Sequence, residues 1–593
     1  MKNSNQQFIS VKNVVYQHWN QETPTLKGVS LNIQKNTINV LVGPGGSGKS
    51  TLCSLFNGEI PHLLGGKMEG DIYIDGSNTR EMAVKNLSQL VGHVLQDPES
   101  MFATLYVEDE IAFGPENLCL EVTEISGRIE KLLQDIELWP QRQNLVWQLS
   151  GGQVQKLGLA VILAMKPRMI VLDEPTANLD PAATRSVHEL ILKLRDGGMT
   201  VFLVTRELDD FILSAADQLL VLNEGTLIAS GTVQDVMQQH GAQIQKELGI
   251  WLPESVEIGI SLNELMPGKL NAIPITVNET LSALHTTGLL SNCLETSRNN
   301  ELRQETPTAS EPLITARALS YTYKNGFKAL KDVSFDIYPG EMLAIVGRNG
   351  AGKSTLAKLL VGLLKPQEGE LTLFSKPAKE WKPETLADNI ALVFQNPEHQ
   401  FLTDTVFDEI AYSLLSRGIT DKEEINRQVN EWLDQLELRE NTTKHPFALS
   451  AGKKRRLGVA TMLVCHPKIL LVDEPTYGQD KEMTRTLMQL MENVRAQGVS
   501  VVMITHDMRL VQEYAHRVLV MADGKILYEG DPVHLFQSAD ILQAANLRPT
   551  LLQEILKTYQ DEGGKVGCAI HNTSDLMAIL TSQPGREATH VSQ

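Results

Sequence analysis

The run INVLVGPGGSGKSTL, residues 38–52, returns as MLAIVGRNGAGKSTL, residues 342–356, and this pair decides the fold. Each copy opens on a short apolar, β-rich run, passes through glycines and continues into a helical pattern (STLCSLF, STLAKLL). A continuous apolar run of that length reads as a strand buried on both faces, which belongs in a parallel sheet covered by helices. The same reading fits MIVLDEP (169–175), ILLVDEP (469–475), TVFLVT (200–205) and SVVMIT (500–505). The expected fold is therefore α/β with a parallel sheet, built twice.

Three further motifs repeat in the same order, each about 300 residues on: VLQDPE (94–99) as VFQNPE (393–398), LSGGQ (149–153) as LSAGK (449–453), and VLDEPT (171–176) as LVDEPT (471–476). Ordered recurrence of this kind is a domain duplication. The expected division is a first domain over 1–235, a linker over 236–312, a second domain over 313–545 and a tail over 546–593. The linker is polar and irregular, ending in ETSRNNELRQETPTASEP, with a small folded element near residues 262–290. The tail either packs on the second domain or is solvated, with solvation preferred.

Composition narrows the classes. With 593 residues the chain exceeds one core, and 42% hydrophobic with 21% charged residues is ordinary for a globular protein. No stretch reaches 18 consecutive apolar residues and the N-terminus has no signal-peptide core, so a cytosolic protein is expected. A net charge of −19 disfavours a bulk grip on nucleic acid but leaves docking on a membrane protein open. The five cysteines form no C-x-x-C pair and read as small hydrophobes or stray thiols.

The spacing G-x-x-x-x-G-K-[ST], met twice between a strand and a helix, has a physical reason. Glycines let backbone N–H groups turn inward around phosphates, and the helix N-terminus adds positive potential. The first cradle is Gly43, Pro44, Gly45, Gly46, Ser47, Gly48, Lys49, Ser50 and Thr51. The second is Gly347, Arg348, Asn349, Gly350, Ala351, Gly352, Lys353, Ser354 and Thr355. Lys49 and Lys353 are expected on the β- and γ-phosphates of ATP, and the Ser50 and Ser354 hydroxyls on Mg²⁺. An apolar strand ending in Asp-Glu completes the pattern. Asp173 and Asp473 are expected at the Mg²⁺ shell, with Glu174 and Glu474 orienting or deprotonating the attacking water.

Across both copies, roughly 460 residues, the chain resembles the ABC ATPase family, whose mark is the LSGGQ-type signature. The resemblance implies a parallel-sheet core, a helical signature subdomain and an N-terminal antiparallel β subdomain in each copy. It also implies two cassettes facing head to tail, so that the signature of one (Ser150, Gly152 and Gln153; Ser450 and Gly452) caps the nucleotide on the other. Gln96 and Gln395 match the family's Q-loop glutamine, near Mg²⁺ and the transport subunit, and Asp180 and Asp480 its D-loop aspartate. The family stacks an aromatic on adenine. Tyr323, 30 residues before Lys353, fits in the second copy; Trp19 stands at the same distance from Lys49, with Tyr16 competing.

The copies differ where the chemistry is most sensitive. The family's γ-phosphate histidine is present as His506 but replaced by Arg206, a permanent cation that cannot exchange donor and acceptor roles. The second signature carries Ala451 and Lys453 where the first has Gly151 and Gln153. In a head-to-tail pair both departures fall in one site. The expectation is that the site with Lys353, Glu474, His506 and the 150–153 signature is the main hydrolytic one, and that the other mostly binds ATP.

The segments after each Q-loop glutamine, QNPEHQFLTDTVFDEIAYSL (395–414) and more loosely QDPESMFATLYVEDEIAFGPENL (96–118), are similar to the fused ATPases of energy-coupling-factor importers. That resemblance implies uptake of a vitamin, a vitamin precursor or a transition-metal ion. It further implies a transmembrane coupling subunit, a membrane substrate-binding subunit, and a peripheral location on the cytoplasmic face of the membrane. Met101 stands where the second copy has Gln400, a departure from the pattern. The alternative is a ribosome-acting tandem ATPase, but residues 241–310 hold four Lys/Arg against eight Asp/Glu, the wrong balance for RNA. A DNA-repair ATPase would need coiled-coil or zinc insertions, and neither heptads nor cysteine pairs occur.

Overall fold

The structure, a computed structural model, describes residues 7–19, 21–177, 179–287, 311–476, 479, 481–564, 566 and 570–581, apart from the side chain of Ala451. The chain divides into two compact units, 1–288 and 289–593. Both are mixed α/β and share one topology.

In the first unit a six-stranded sheet runs in the order Thr226–Gly231, Gln218–Asn223, Ile38–Val42, Thr200–Thr205, Met169–Asp173, Val91–Val94. Five strands are parallel and the Thr226–Gly231 edge is antiparallel. All five residues of Ile38–Val42 are buried, and the strand's period of two divides them between two cores. Ile38, Val40 and Val42 join one core with the helix Pro181–Asp196, through Val187 and Ile191. Leu41 joins the other, with the helix Lys49–Phe56 and a four-stranded antiparallel sheet led by Gln7–His18 and Leu26–Gln34. A third, helical core gathers Val107, Ile111, Leu133, Leu157 and Ala160 from Val107–Asn117, Val122–Asp135 and Gly151–Leu163.

The second unit repeats this: Ile390–Val393, Ile469–Asp473, Ser500–Ile504, Met342–Val346, Arg517–Ala522 and antiparallel Lys525–Gly530. Its antiparallel sheet is led by Ile314–Thr322, and its helical core by Val406–Leu415, Lys422–Gln435 and Ala451–Leu463.

Two expectations need correction. Residues 236–287 are not linker: the helices Val233–Lys246, Glu254–Leu265 and Val277–Thr287 fold there. Val256, Ile260, Ile273 and Ile275 lie in the same core as the central strand, and Gly241 faces Ile260 closely enough that a Cβ would stand 3.0 Å from it. Polar flanks hid these helices; Glu254–Leu265 in particular is buried nearly all round, from Ser255 to Ile260 and at Leu262. The rest of the expected linker, 288–310, lies outside the described residues. Nor is the tail simply solvated. The helices Leu551–Asp561 and Thr573–Thr581 bury Leu552, Ile555 and Leu580, and Leu547 belongs to the second unit's core. The Thr550 hydroxyl donates to Gln512, whose amide donates to the Ile570 carbonyl at 3.4 Å, so the tail is tied to the helix Met508–Tyr514.

Replacing Ile260 by alanine is expected to destabilise the first unit by about 2–5 kcal/mol. The reading is a lower urea midpoint for amide protection in the strand Ile38–Val42, and an unchanged midpoint would make 236–287 a linker after all.

Candidate functional site

The register of the sheet brings the chemistry to one edge. Val42 pairs with Thr205 and Asp173 with Val204, so the glycine loop, Glu174 and Arg206 all follow carboxyl ends of adjacent parallel strands. In the second unit Ile345 and Asp473 both pair with Ile504, which places Gly347, Glu474 and His506 likewise.

The loops turn where only glycine turns freely: Gly46 and Gly48 have φ of 77° and 101°, Gly350 and Gly352 79° and 104°. Gly43 is required for another reason, since a Cβ there would lie 2.1 Å from the Leu222 carbonyl oxygen; Gly347 meets Met521 at the same distance. The helices Lys49–Phe56 and Lys353–Leu360 then begin without a side-chain cap, leaving their first N–H groups for a ligand. Lys49 Nζ folds back onto the Gly43 and Pro44 carbonyls at 2.7 and 2.9 Å, Lys353 Nζ onto Gly347 and Arg348 at 2.5 and 3.1 Å. Burial and the Arg206 charge bring Lys49 down to about 8, against the pull of Glu174 and Asp173. A cation in the mouth of a loop, at an uncapped helix start, fits a phosphate chain.

Ser50 Oγ donates to Asp173 Oδ2 at 3.1 Å, and Ser354 holds the corresponding place in its helix. A hydroxyl beside a carboxylate is a hard oxygen set, which suits Mg²⁺ when phosphate and water complete the shell. Asp473 is raised to about 6 by burial and by Glu474, with Arg455, Lys353 and Lys358 opposing. Glu174 and Glu474 both sit at φ 50°, a left-handed conformation unusual for glutamate. Each is held there by its own N–H, to Val204 O at 2.9 Å and to Ile504 O at 2.8 Å. Strain of this kind gathers at functional sites.

The glutamate partners separate the two sites. Arg206 Nε stands 3.0 Å from Glu174 Oε1 in an ion pair, whereas His506 Nδ1 stands 2.9 Å from Glu474 Oε2. Burial raises Glu174 above the usual carboxylate range, with Arg206 and Lys49 pulling it down. Burial opposes the charged imidazole of His506, but the hydrogen bond and charge of Glu474 outweigh it and raise its pKa.

Gln96 and Gln395 are exposed, two residues beyond the strands paired with Met169–Asp173 and Ile469–Asp473. A buried glutamate shapes the loop behind each. Glu110 accepts from the Ala103 and Thr104 N–H groups and the Thr104 hydroxyl, and Glu409 from Leu402, Thr403 and the Thr403 hydroxyl. This accounts for the E-[IV]-A element of the motif: the acid is a staple. Gln400 Nε2 donates to Gly458 O at 2.9 Å, while its counterpart Met101 takes the Leu95 N–H on sulfur at 3.3 Å.

Signature residues head helices that belong to the helical cores. Ser150 and Gln153 form a reciprocal cap, with Ser150 N–H on Gln153 Oε1 at 2.9 Å. In the second unit that cap is absent: Ser450 makes no side-chain cap, and Lys453 Nζ turns to Asn441 Oδ1 at 2.9 Å. Gly152 would meet Ala183 at 3.1 Å with a Cβ, and Gly452 would meet Met483 at 2.1 Å. Asp180 caps the helix Pro181–Asp196 through Ala183 N–H at 2.9 Å; Asp480 lies outside the described residues.

The aromatic beside the phosphate loop differs between the units. Tyr323 OH stands 3.1 Å from Thr355 Oγ1, beside the phosphate loop. In the first unit that place belongs to His18, whose Nε2 is 3.4 Å from Thr51 Oγ1, and not to Trp19, which is 68% exposed. Tyr16 edges onto His18 as Tyr321 edges onto Tyr323, at 4.8 and 5.1 Å, and is itself core. The first copy is one residue longer between this position and its lysine, so equal counting selects the neighbour.

A family model described as ABC transporter matches residues 26–177 and 330–477. A "Putative ABC transporter ATP-binding protein" of Methanosarcina mazei is 35% identical over 566 residues, covering 94% of both chains. The "Putative HMP/thiamine import ATP-binding protein YkoD" of Bacillus subtilis is 34% identical over 560 residues, 94% of this chain and 97% of that one. A solved chain, cbiO1 of Clostridium perfringens, is 30% identical over 42% of this chain and 100% of its own, with a TM-score of 0.37. No helix among the described residues is long and apolar enough to cross a membrane. The ribosome-acting alternative finds no support among these relatives. With both cassettes matched and relatives aligned along nearly the whole length, the chain belongs to the ABC transporter family, as a two-cassette ATP-binding protein whose ATPase activity is coupled to transport.

Proposed function

We propose that this chain energises a membrane importer of the energy-coupling-factor kind, taking up a vitamin or vitamin precursor from a position on the cytoplasmic face of the membrane. One observation carries the import reading: the 34% identity, over 94% of this chain, to the Bacillus subtilis protein named for HMP/thiamine import. A transmembrane coupling subunit and a membrane substrate-binding subunit are the partners it implies. Phe113 and Tyr412, exposed on the helices that follow the Q-loops, offer apolar area for docking the former.

Lys49 and Lys353 leave their loop carbonyls for the β- and γ-phosphates of ATP, exchanging neutral acceptors for charged ones. Ser50, Asp173 and Gln96 in one cassette, and Ser354, Asp473 and Gln395 in the other, would hold Mg²⁺, which screens phosphate charge when bound. Tyr323 stacks on adenine in one cassette and His18 in the other. Glu474 deprotonates the attacking water. His506 fixes that carboxylate through Nδ1 and, being an imidazole, exchanges donor and acceptor roles as the phosphate departs.

In the head-to-tail pairing that the family resemblance implies, Glu474 works under the intact 150–153 signature. Glu174 works under the altered 450–453 signature and is held in an ion pair by Arg206. The site of Lys353, Glu474 and His506 is therefore the main hydrolytic one.

Glu474→Gln is expected to lower steady-state phosphate release by about 10²-fold or more, and Glu174→Gln by no more than about threefold. Equal losses would end the asymmetry. Arg206→His, in chains already carrying Glu474→Gln, should raise the residual turnover, because the carboxylate is freed from a permanent cation. Chelation of Mg²⁺ should abolish turnover of the unmodified chain and re-addition restore it. For the role itself, cells expressing the chain with its membrane partners should take up labelled HMP or thiamine, and Lys353→Ala should stop them. Copurification with ribosomes in place of membranes would overturn the importer.

A further inference from the structure

The second cassette's signature helix, Ala451–Leu463, carries a basic run, Lys453 to Arg456, where the first cassette has Gln153, Val154, Gln155 and Lys156. Arg455 in this run is 1% exposed, the largest fully buried side chain of the described residues. Its Nη1 donates to the carbonyls of Phe394 and Gln395, the latter at 3.0 Å; its Nη2 donates to the carbonyls of Asp473 and Glu474 at 2.5 and 2.7 Å. One guanidinium thus bonds four main-chain oxygens, two in the Q-loop and two at the Asp-Glu turn. Burial brings its pKa down to about 10, while the Asp473 and Glu474 charges favour the cation. Its Nε is buried without a hydrogen-bond partner, so the four carbonyls are what compensates the burial of the charge.

Two neighbours repeat the tie. Lys454 Nζ meets Glu398 Oε1 at 2.5 Å, and Gln400 Nε2 reaches back to Gly458 O. The first cassette has none of the three. Val154 and Met101 replace Lys454 and Gln400, and the buried Gln155 leaves its Oε1 without a partner. There the Glu174 carbonyl accepts from the Ala177 N–H at 3.1 Å.

We propose that Arg455 is a positioning residue that makes the signature helix, the Q-loop and the Asp473–Glu474 turn of the second cassette move as one body, a link the first cassette lacks. A displacement of the Q-loop by a docked partner is then passed at once to the carboxylate that activates water and to the signature. In the first cassette the same displacement stays local. The consequence for hydrolysis rests on the reading of Glu474 as the water-activating residue.

The test uses the full chain carrying Arg455→Gln, which gives the second cassette the first one's residue, with amide exchange and ATP turnover measured together. Exchange over 394–402 should quicken by about tenfold while the strands Met342–Val346 and Ser500–Ile504 keep their protection. In chains also carrying Glu174→Gln, kcat should fall by about tenfold with KM for ATP within about twofold. Lys454→Ala, which empties no buried site, should quicken exchange in the same segment by about threefold. Gln155→Leu should change neither reading. Unchanged exchange over 394–402, equal loosening of the strands, or a loss confined to KM would overturn the proposal. If Glu474→Gln retained full turnover the hydrolytic-site reading would fall instead, and the exchange result would still decide the link.

Discussion

Everything in this molecule hangs on how closely one glycine approaches a neighbouring strand. Gly43 and Gly347 follow strands with no exposed residue, and each lies so near a carbonyl of the adjacent strand that a Cβ would stand 2.1 Å from it. That closeness lets the loop begin flush with the sheet, its lysine reaching back over the first two carbonyls. The helix behind it starts uncapped. The phosphate site is thus a product of sheet packing, and the two cores on either side of the strand stabilise it by burying alternate residues of one five-residue run.

From that shared frame the two cassettes diverge at a few side chains. An arginine in place of a histidine converts a hydrogen-bonded glutamate into an ion-paired one. A lysine in place of a signature glutamine removes a reciprocal cap and turns to an asparagine of its own subdomain. A guanidinium in place of an amide ties three elements together. None of these changes interrupts a strand or a helix. Fusing the copies in one chain is what permits them, since a homodimer would repeat any change in both sites.

Much of this was legible in the sequence because buried strands and glycine loops are local signals. The loops, the Asp-Glu turns and the repeat all follow from runs of fewer than about fifteen residues with a fixed period. What escaped was non-local. The helices within 233–287 pack on a sheet whose strands lie far back in the chain, and polar flanks made them read as linker. Counting pointed to Trp19, whereas the residue that stands beside Thr51, as Tyr323 stands beside Thr355, is His18, because counting assumes equal loops. Arg455 drew no reading at all, since a sequence gives no sign that four carbonyls converge on one position.

The tail carries a consequence for how the protein is made. The helix after His506 is braced by Thr550 and the Ile570 carbonyl, which lie 38 and 58 residues further along the chain than Gln512. The first cassette's core closes with residues up to Ile275, so it can mature while the second is still being synthesised. The bracing of the second cassette's histidine loop waits until Ile570 has been made. A chain that stops before Thr550 therefore has a finished first half and an unbraced second one.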